Sequence, residues 1–217
     1  MSKKTQDASL MAERREKLLE TGFQMFAEHS IEAVKLQDIA NKCGIGIATL
    51  YRYFGTKPDL VIEIATRLWH KYYSLEEQMF QACNGNDMTA AEELEYFLDC
   101  FIDLYKNHKD ILRFNRNFDT YVKHEGCTEE QMRPYNEAVS IFANKFHLLF
   151  LKAQKDKTLD VSMSEKKFFI NLLYIMLSVT GKYAEGLIYP YNYEQDMTEE
   201  LYMLKHMILN TYVKPMP

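Results

Sequence analysis

The chain's 217 residues include only 8 glycines and 5 prolines, and this scarcity constrains the fold more than any other feature. Glycine and proline punctuate periodic segments. With so few of them, most of the sequence must run in long uninterrupted elements, and the spacing of apolar residues decides their kind. From Arg14 to Ala27, Leu18, Leu19, Phe23 and Phe26, with the small Gly22 and Ala27, recur at steps of three and four. Glu13, Arg15, Glu16, Glu20, Gln24 and Glu28 take the other side. That is one face of an amphipathic helix, and the same pattern returns along the chain. The expected class is all-α, and no strand is needed.

Apolar residues make up 47% and aromatic residues 13% of the chain, enough to bury a core and too much for disorder. The longest apolar-rich run, Phe168 to Gly181, spans 14 residues and contains Asn171. It is too short to cross a bilayer. The opening MSKKTQDASLMAERRE is polar and lacks the apolar stretch of a secretory signal. A cytoplasmic protein with no membrane association is expected. Cys43, Cys83, Cys100 and Cys127 form no CxxC pair and read as reduced thiols. The six histidines are scattered, His124 and Cys127 make an HxxC pair with no second pair to complete a metal site, and P-loop, GxGxxG and HExxH motifs are missing. An enzyme, a metal site or a cofactor is therefore not expected.

The net charge of −5 argues at first against a polyanionic partner, but its distribution does not. Residues 1–60 hold nine cations and eight acids, whereas residues 61–217 hold seventeen and twenty-three. Between Ala33 and Pro58, Lys35, Lys42, Arg52 and Lys57 face the single acid Asp38. A small cationic surface sits on an acidic chain.

That cationic stretch has its own pattern. After a break near Ser30, Leu36, Ile39, Ala40 and Cys43 repeat a helical face over two turns. Gly44 suits the left-handed residue that ends a helix, and Ile45 can plug the corner. A third short helix is expected from Ile47 to Tyr53, needing only Leu50 and Phe54 to dock it. Two short helices joined by a glycine-containing turn, behind a supporting helix, form a helix-turn-helix unit or an ordinary helical corner. Thr49, Tyr51, Arg52 and Tyr53 on the open face favour a binding role, because exposed aromatics mark partners. Tyrosine hydroxyls and Arg52 suit phosphates, and Thr49 suits base edges. Thr56 and Asp59 have capping-box spacing, Pro58 fits a first helical turn, and Lys57 stands where a phosphate would meet free amides and the positive end of a helix. The fourth helix continues to about Met79 on Leu60, Val61, Ile64, Ala65, Leu68, Trp69 and Tyr72.

AEHSIEAVKLQDIANKCGIGIATLYRYFGTKPDL resembles the DNA-binding signature of the TetR/AcrR family of bacterial transcriptional regulators, over about residues 14 to 64. The TLYRYF core, its distance from DIA and the following T-K-x-x-L carry the resemblance. It implies a homodimer that binds a palindromic operator in double-stranded DNA, and a larger helical domain that takes up a small-molecule effector and releases the DNA, usually as a repressor. By position, the implied DNA-facing residues are Lys35 and Gln37, then Gly46, Ile47, Ala48, Thr49, Tyr51, Arg52 and Tyr53, then Lys57. Four positions depart from the family pattern. Ser30 replaces a turn glycine, Lys35 and Gly46 replace hydroxyl caps, and Ile47 replaces a commonly polar base reader.

The expected domains are a helix-turn-helix domain over residues 1–56 and a ligand-binding and dimerisation domain over 57–217, about nine helices in all. After a turn at Asn84 to Asp87, helices are expected near 90–106, 109–122, 129–154, 164–187 and 197–212. Their stripes are rich in aromatics, most of which core packing explains. As a group they suggest a pocket for an apolar or aromatic effector, with Trp69, Tyr72, Phe97, Phe101, Phe114, Phe118, Tyr121, Phe142, Phe146 and Tyr174 as candidate lining. The wide apolar faces between 164 and 212 point to homodimerisation there. The alternative is a small-molecule-binding module without specific DNA binding.

Overall fold

The computed structural model describes residues 3–186 and 196–214, with side chains from residue 9 onward. Among these residues nine α-helices follow in order: α1 Lys3–Glu28, α2 Leu36–Cys43, α3 Ile47–Phe54, α4 Lys57–Ala82, α5 Ala90–Asn107, α6 Lys109–His124, α7 Glu129–Asp156, α8 Glu165–Glu185 and α9 Thr198–Tyr212. A single 3₁₀ turn, Gly85–Asp87, separates α4 from α5. The β contact among the described residues is an isolated antiparallel bridge between Leu159 and Val213. The fold is all-α, as the apolar spacing requires. Helix ends fall within about three residues of the expected ones, except that α1 starts at Lys3, well before Arg14. The segment KKTQDASLMAE contains no glycine or proline and simply extends the helix nucleated on Leu18 and Leu19. Residues 187–195, part of the expected dimerisation segment, lie outside the described residues.

Two compact units form, one from Met1–Trp69 with Arg113–Glu137, the other from His70–Leu112 with Ala138–Pro217. The first unit thus extends past residue 56, and the reason is its core. Phe26, Ile31, Ile39, Leu50, Leu60, Val61 and Ile64 are buried in one apolar cluster with Phe114, Phe118 and Tyr121 of α6. Phe23 meets Phe114 edge-on at 5.7 Å between centroids, and Phe118 lies 4.6 Å from Tyr135 of α7. The guanidinium of Arg15 makes a two-pronged ion pair with Glu63 and stands 4.9 Å from the centre of the Phe54 ring. That pair ties α1 to α4 over the buried end of α3.

In the second unit α5 packs against both α8 and α9. Its start is fully capped. Thr89 and Glu92 form a capping box, Asp156 accepts from the Ala90 amide at 2.7 Å, and the Thr158 hydroxyl accepts from the Ala91 amide at 3.0 Å. The four amides of Thr89, Ala90, Ala91 and Glu92, which no helix can satisfy internally, are thereby bonded. The interior is aromatic: Phe97 stacks on Phe146 at 5.3 Å, Phe142 lies 5.0 Å from Phe146, and Phe101 meets Phe142 at 6.0 Å. Charge is buried beside these rings. Glu76, 3% exposed at its side chain, pairs with Lys145, Glu93 pairs with Lys152, and Lys205 pairs with both Glu95 and Asp99.

Replacing Lys145 with methionine leaves the buried Glu76 carboxylate without its cation and should cost about 3–5 kcal/mol at neutral pH. Burial raises the folded-state pKa of Glu76 above its ordinary value. Protonation therefore favours the fold, so the loss shrinks as pH falls through that raised value. Urea unfolding of both proteins at neutral and acid pH measures the difference.

Candidate nucleic-acid interface

The corner between α2 and α3 is built by backbone rules. Gly44 takes φ 72° and ψ 32°, its amide donates to Asn41 at 3.0 Å, and the Ile45 amide donates to Ala40 at 3.0 Å. These two bonds are a Schellman motif, which stops α2 and turns the chain. The Lys17 ammonium donates to the Cys43 carbonyl at 3.4 Å, adding a cation at the negative end of α2. Gly46 opens α3 in extended conformation with no side-chain cap, and α3 presents Leu50 and Phe54 to the core. At α4 the expected capping box is formed: the Thr56 amide donates to Asp59 at 3.0 Å, and the Asp59 amide donates to the Thr56 hydroxyl at 3.3 Å.

These elements surround an open cleft of about 650 Å³. Five of the ten residues expected at a DNA surface line it: Lys35, Gln37, Ile47, Tyr51 and Lys57. Gly46, which precedes α3, and Ala48 and Arg52 on it are exposed, and Arg52 donates to the Thr49 hydroxyl at 3.2 Å. Tyr53 behaves differently. It is half-buried against the core and its ring lies 6.1 Å from that of Phe54. Tyr51, 50% exposed, is the tyrosine that α3 turns outward. The Gln37 amide donates to Asn41 at 2.8 Å, which holds it along α2.

Lys57 belongs both to the cleft and to the core beneath it. Its ammonium lies 5.5 Å from the centre of the Tyr121 ring and 5.9 Å from that of Phe26, and donates to the Glu32 carbonyl at 3.4 Å. Burial holds its pKa below the ordinary lysine value, with Glu32 and Glu125 opposing. Glu32, Val34, Leu36, Gly55 and Thr56 complete the cleft, and no sequence pattern marks Glu32 or Val34. Glu32 lies in the connection before α2, where no periodicity marks a face.

The residues expected at an effector pocket divide. Tyr72, Phe97, Phe101, Phe142 and Phe146 are buried in the second unit, where the Tyr72 hydroxyl donates to the Cys100 carbonyl at 3.1 Å. Trp69, Phe114, Phe118 and Tyr121 are buried in the first unit, three of them in the core that supports α3. Tyr174 stands 62% exposed on α8.

A short supported helix behind a glycine corner, with its polar and aromatic face left open over cationic side chains, defines a helix-turn-helix protein. Residues 18–64 match the family described as bacterial regulatory proteins, tetR family. The chain is similar to an HTH-type transcriptional regulator of Staphylococcus aureus, with 30% identity over 101 residues. That match covers 46% of this chain and 52% of the relative, so the chain spans about half the length of the curated relatives it matches. In fold it is similar to a transcriptional regulator from Saccharomonospora viridis in complex with choline, with TM-score 0.72, 16% identity and coverage of 94% and 100% of the two chains. It is also similar to FadR from Bacillus subtilis in complex with stearoyl-CoA, with TM-score 0.68, 13% identity and coverage of 90% and 97%.

The two glycines around the corner should respond oppositely to substitution. Gly44→Ala puts a Cβ on a left-handed residue and should cost about 1 kcal/mol. Gly46→Ser places a hydroxyl cap on extended backbone with open space around it and should gain a few tenths of a kcal/mol. Denaturant midpoints of the two variants, read against the parent, check both signs.

Proposed function

We propose that this chain is a ligand-responsive DNA-binding transcriptional regulator, acting as a repressor on a palindromic operator. The observation that carries the reading is the convergence of Lys35, Gln37, Ile47, Tyr51 and Lys57 on one cleft, with Thr49 and Arg52 beside it on a helix whose buried residues are Leu50 and Phe54. Lys35 and Lys57 neutralise phosphates, Tyr51 donates to them, and Thr49, Arg52 and Ile47 meet base edges. Ile47 and Ala48 give the groove-entering end an apolar surface suited to thymine methyl groups, so half-sites with T at that position are preferred.

A homodimer through residues 164–212 brings two recognition helices about 34–36 Å apart, one turn of DNA. In its support, α8 exposes Tyr174 and Ile175, and α9 exposes Tyr202, Met203 and Met207. Residues 187–195 of that segment lie outside the described residues. A small-molecule effector taken up among Tyr72, Phe97, Phe101, Phe142 and Phe146 releases the DNA, and the choline and stearoyl-CoA held by two fold neighbours support a small-molecule role for this unit. Helix α4 supplies residues to both units and is the covalent route by which effector binding reaches Lys57. A cytoplasmic location accompanies this reading; no described helix is long and apolar enough to cross a membrane.

Gel shifts with DNA from beside the chain's own gene, across a salt series, test the reading. Binding should saturate and weaken with salt. Lys57→Ala should weaken all sequences alike and lower the salt slope by about one, whereas Thr49→Ala and Arg52→Ala should change base preference by about 1–3 kcal/mol. Equal, sequence-blind losses in all three would overturn the assigned roles, and failure to find any specific site would favour a small-molecule-binding module.

A further inference from the structure

On α4, Tyr72, Tyr73, Glu76 and Phe80 recur at the steps of one helix face, so a carboxylate interrupts an aromatic stripe. The interruption is buried, with the Glu76 side chain 3% exposed. One carboxylate oxygen, Oε2, meets the Lys145 ammonium; the other, Oε1, has no hydrogen-bond partner among the described residues. A buried polar atom without a partner costs about 1–3 kcal/mol, more when charged. Such an atom calls for a specific explanation, and a bound partner is one that its surroundings can be asked to support.

The surroundings select the chemistry of that missing partner. The Tyr96 hydroxyl donates to the Glu76 carbonyl at 3.0 Å, and Phe80 packs on Tyr96 at 5.2 Å. Tyr73 stacks on Phe142 at 5.8 Å, so aromatic rings adjoin Glu76 from α4, α5 and α7. Lys145 is shared with Glu77 at 2.9 Å, and two ionised carboxylates with one ammonium leave the group one negative charge in excess. The field is felt nearby. Burial, with Glu76 and Asp103 adding, pushes the Cys100 thiol up to about 12, and burial with the same acids raises the Tyr72 hydroxyl. What disfavours a new anion there favours a cation. Tyr96, Cys100 and Asp103 are half-buried and leave this edge of the unit within reach of solvent.

Resting on the effector reading above, we propose that the second unit recognises an organic ammonium ion, whose N–H donates to Glu76 Oε1 and whose charge lies among the Tyr72, Tyr73 and Tyr96 rings. The ligand restores charge balance, since Lys145 retains Glu77 while Glu76 is shared. Desolvated contact between an ammonium and aromatic rings adds to the ion pair. Carboxylate and phosphate head groups are excluded by the same charge.

Calorimetric titration of the full chain at neutral pH with three probes of one skeleton tests this: phenethylammonium, 2-phenylethanol and phenylacetate. The ammonium should bind at least about tenfold more tightly than the alcohol, and phenylacetate most weakly. Glu76→Gln should bring ammonium and alcohol to within about twofold of each other, the charge preference having been removed. The comparison within the unaltered chain decides the matter if that variant folds poorly. Alcohol binding as tight as that of the ammonium, or no saturable ammonium binding, overturns the cation site. The effector reading falls separately, if compounds that saturate the second unit leave operator affinity unchanged.

Discussion

An eight-residue helix does not hold itself together in water, because nucleation costs more than two turns of hydrogen bonds return. Helix α3 exists because Leu50 and Phe54 are buried in a core that other elements build. Its cap contributes little, since Gly46 offers no side-chain acceptor. Two anchors suffice only if the surface receiving them is rigid. The Schellman turn at Gly44, the Arg15–Glu63 pair over Phe54 and the Thr56–Asp59 box each fix one edge of that surface. Because Leu50 and Phe54 do most of the docking, with Ile47 and Tyr53 packed partly against the same core, α3 can carry Thr49, Tyr51 and Arg52 outward.

Lys57 shows what such a platform does for a charge. A freely rotating surface lysine gives up about 1.5–2 kcal/mol of side-chain entropy when it is immobilised on a partner. Lys57 has already lost much of that freedom, held over the Tyr121 and Phe26 rings and bonded to the Glu32 carbonyl. The holding has an electrostatic cost, visible as a pKa below the ordinary lysine value through burial. Lys35, exposed at the start of α2, is the opposite case: fully hydrated, with its entropy still to lose. One cleft therefore contains a preordered cation and a mobile one.

Much of this arrangement was legible in the sequence because it is local. Helical spacing identified the elements, and Gly44, Leu50, Phe54 and the Thr56–Asp59 pair act within one or two turns of themselves. Allegiance between distant segments was not legible. Phe114, Phe118 and Tyr121 form a helical face in any reading, but spacing reveals that a face is covered and not what covers it. They read naturally as part of an effector pocket, and the fold buries them in one cluster with Leu50 and Phe54 of α3. Tyr53 and Tyr51 look equivalent in TLYRYF, yet a rotation of two residues along α3 puts one against the core and the other outside. Tyr174 sits in a run apolar almost all round, where sequence cannot say which side faces out.

The buried charges of the second unit were equally invisible, and they answer a problem that its aromatic interior creates. Rings and aliphatic side chains attract without direction, so helices lined with them can slide by a turn at little loss of buried area. A salt bridge cannot slide. Lys145 joins α7 to Glu76 of α4, Lys152 joins α7 to Glu93 of α5, and Lys205 joins α9 to Glu95 and Asp99 of α5. A shifted register strands the buried Glu76 and Glu93 carboxylates without their cations, at about 3–5 kcal/mol for each. Each pair differs in how completely it is closed. Lys152 also donates to the Met88 carbonyl at 3.2 Å, and Lys205 bridges two acids one turn apart. Among the described residues, Glu76 keeps an oxygen without a donor. The same residue that helps set the register of α4 against α7 is thus the point at which this interior is left chemically incomplete.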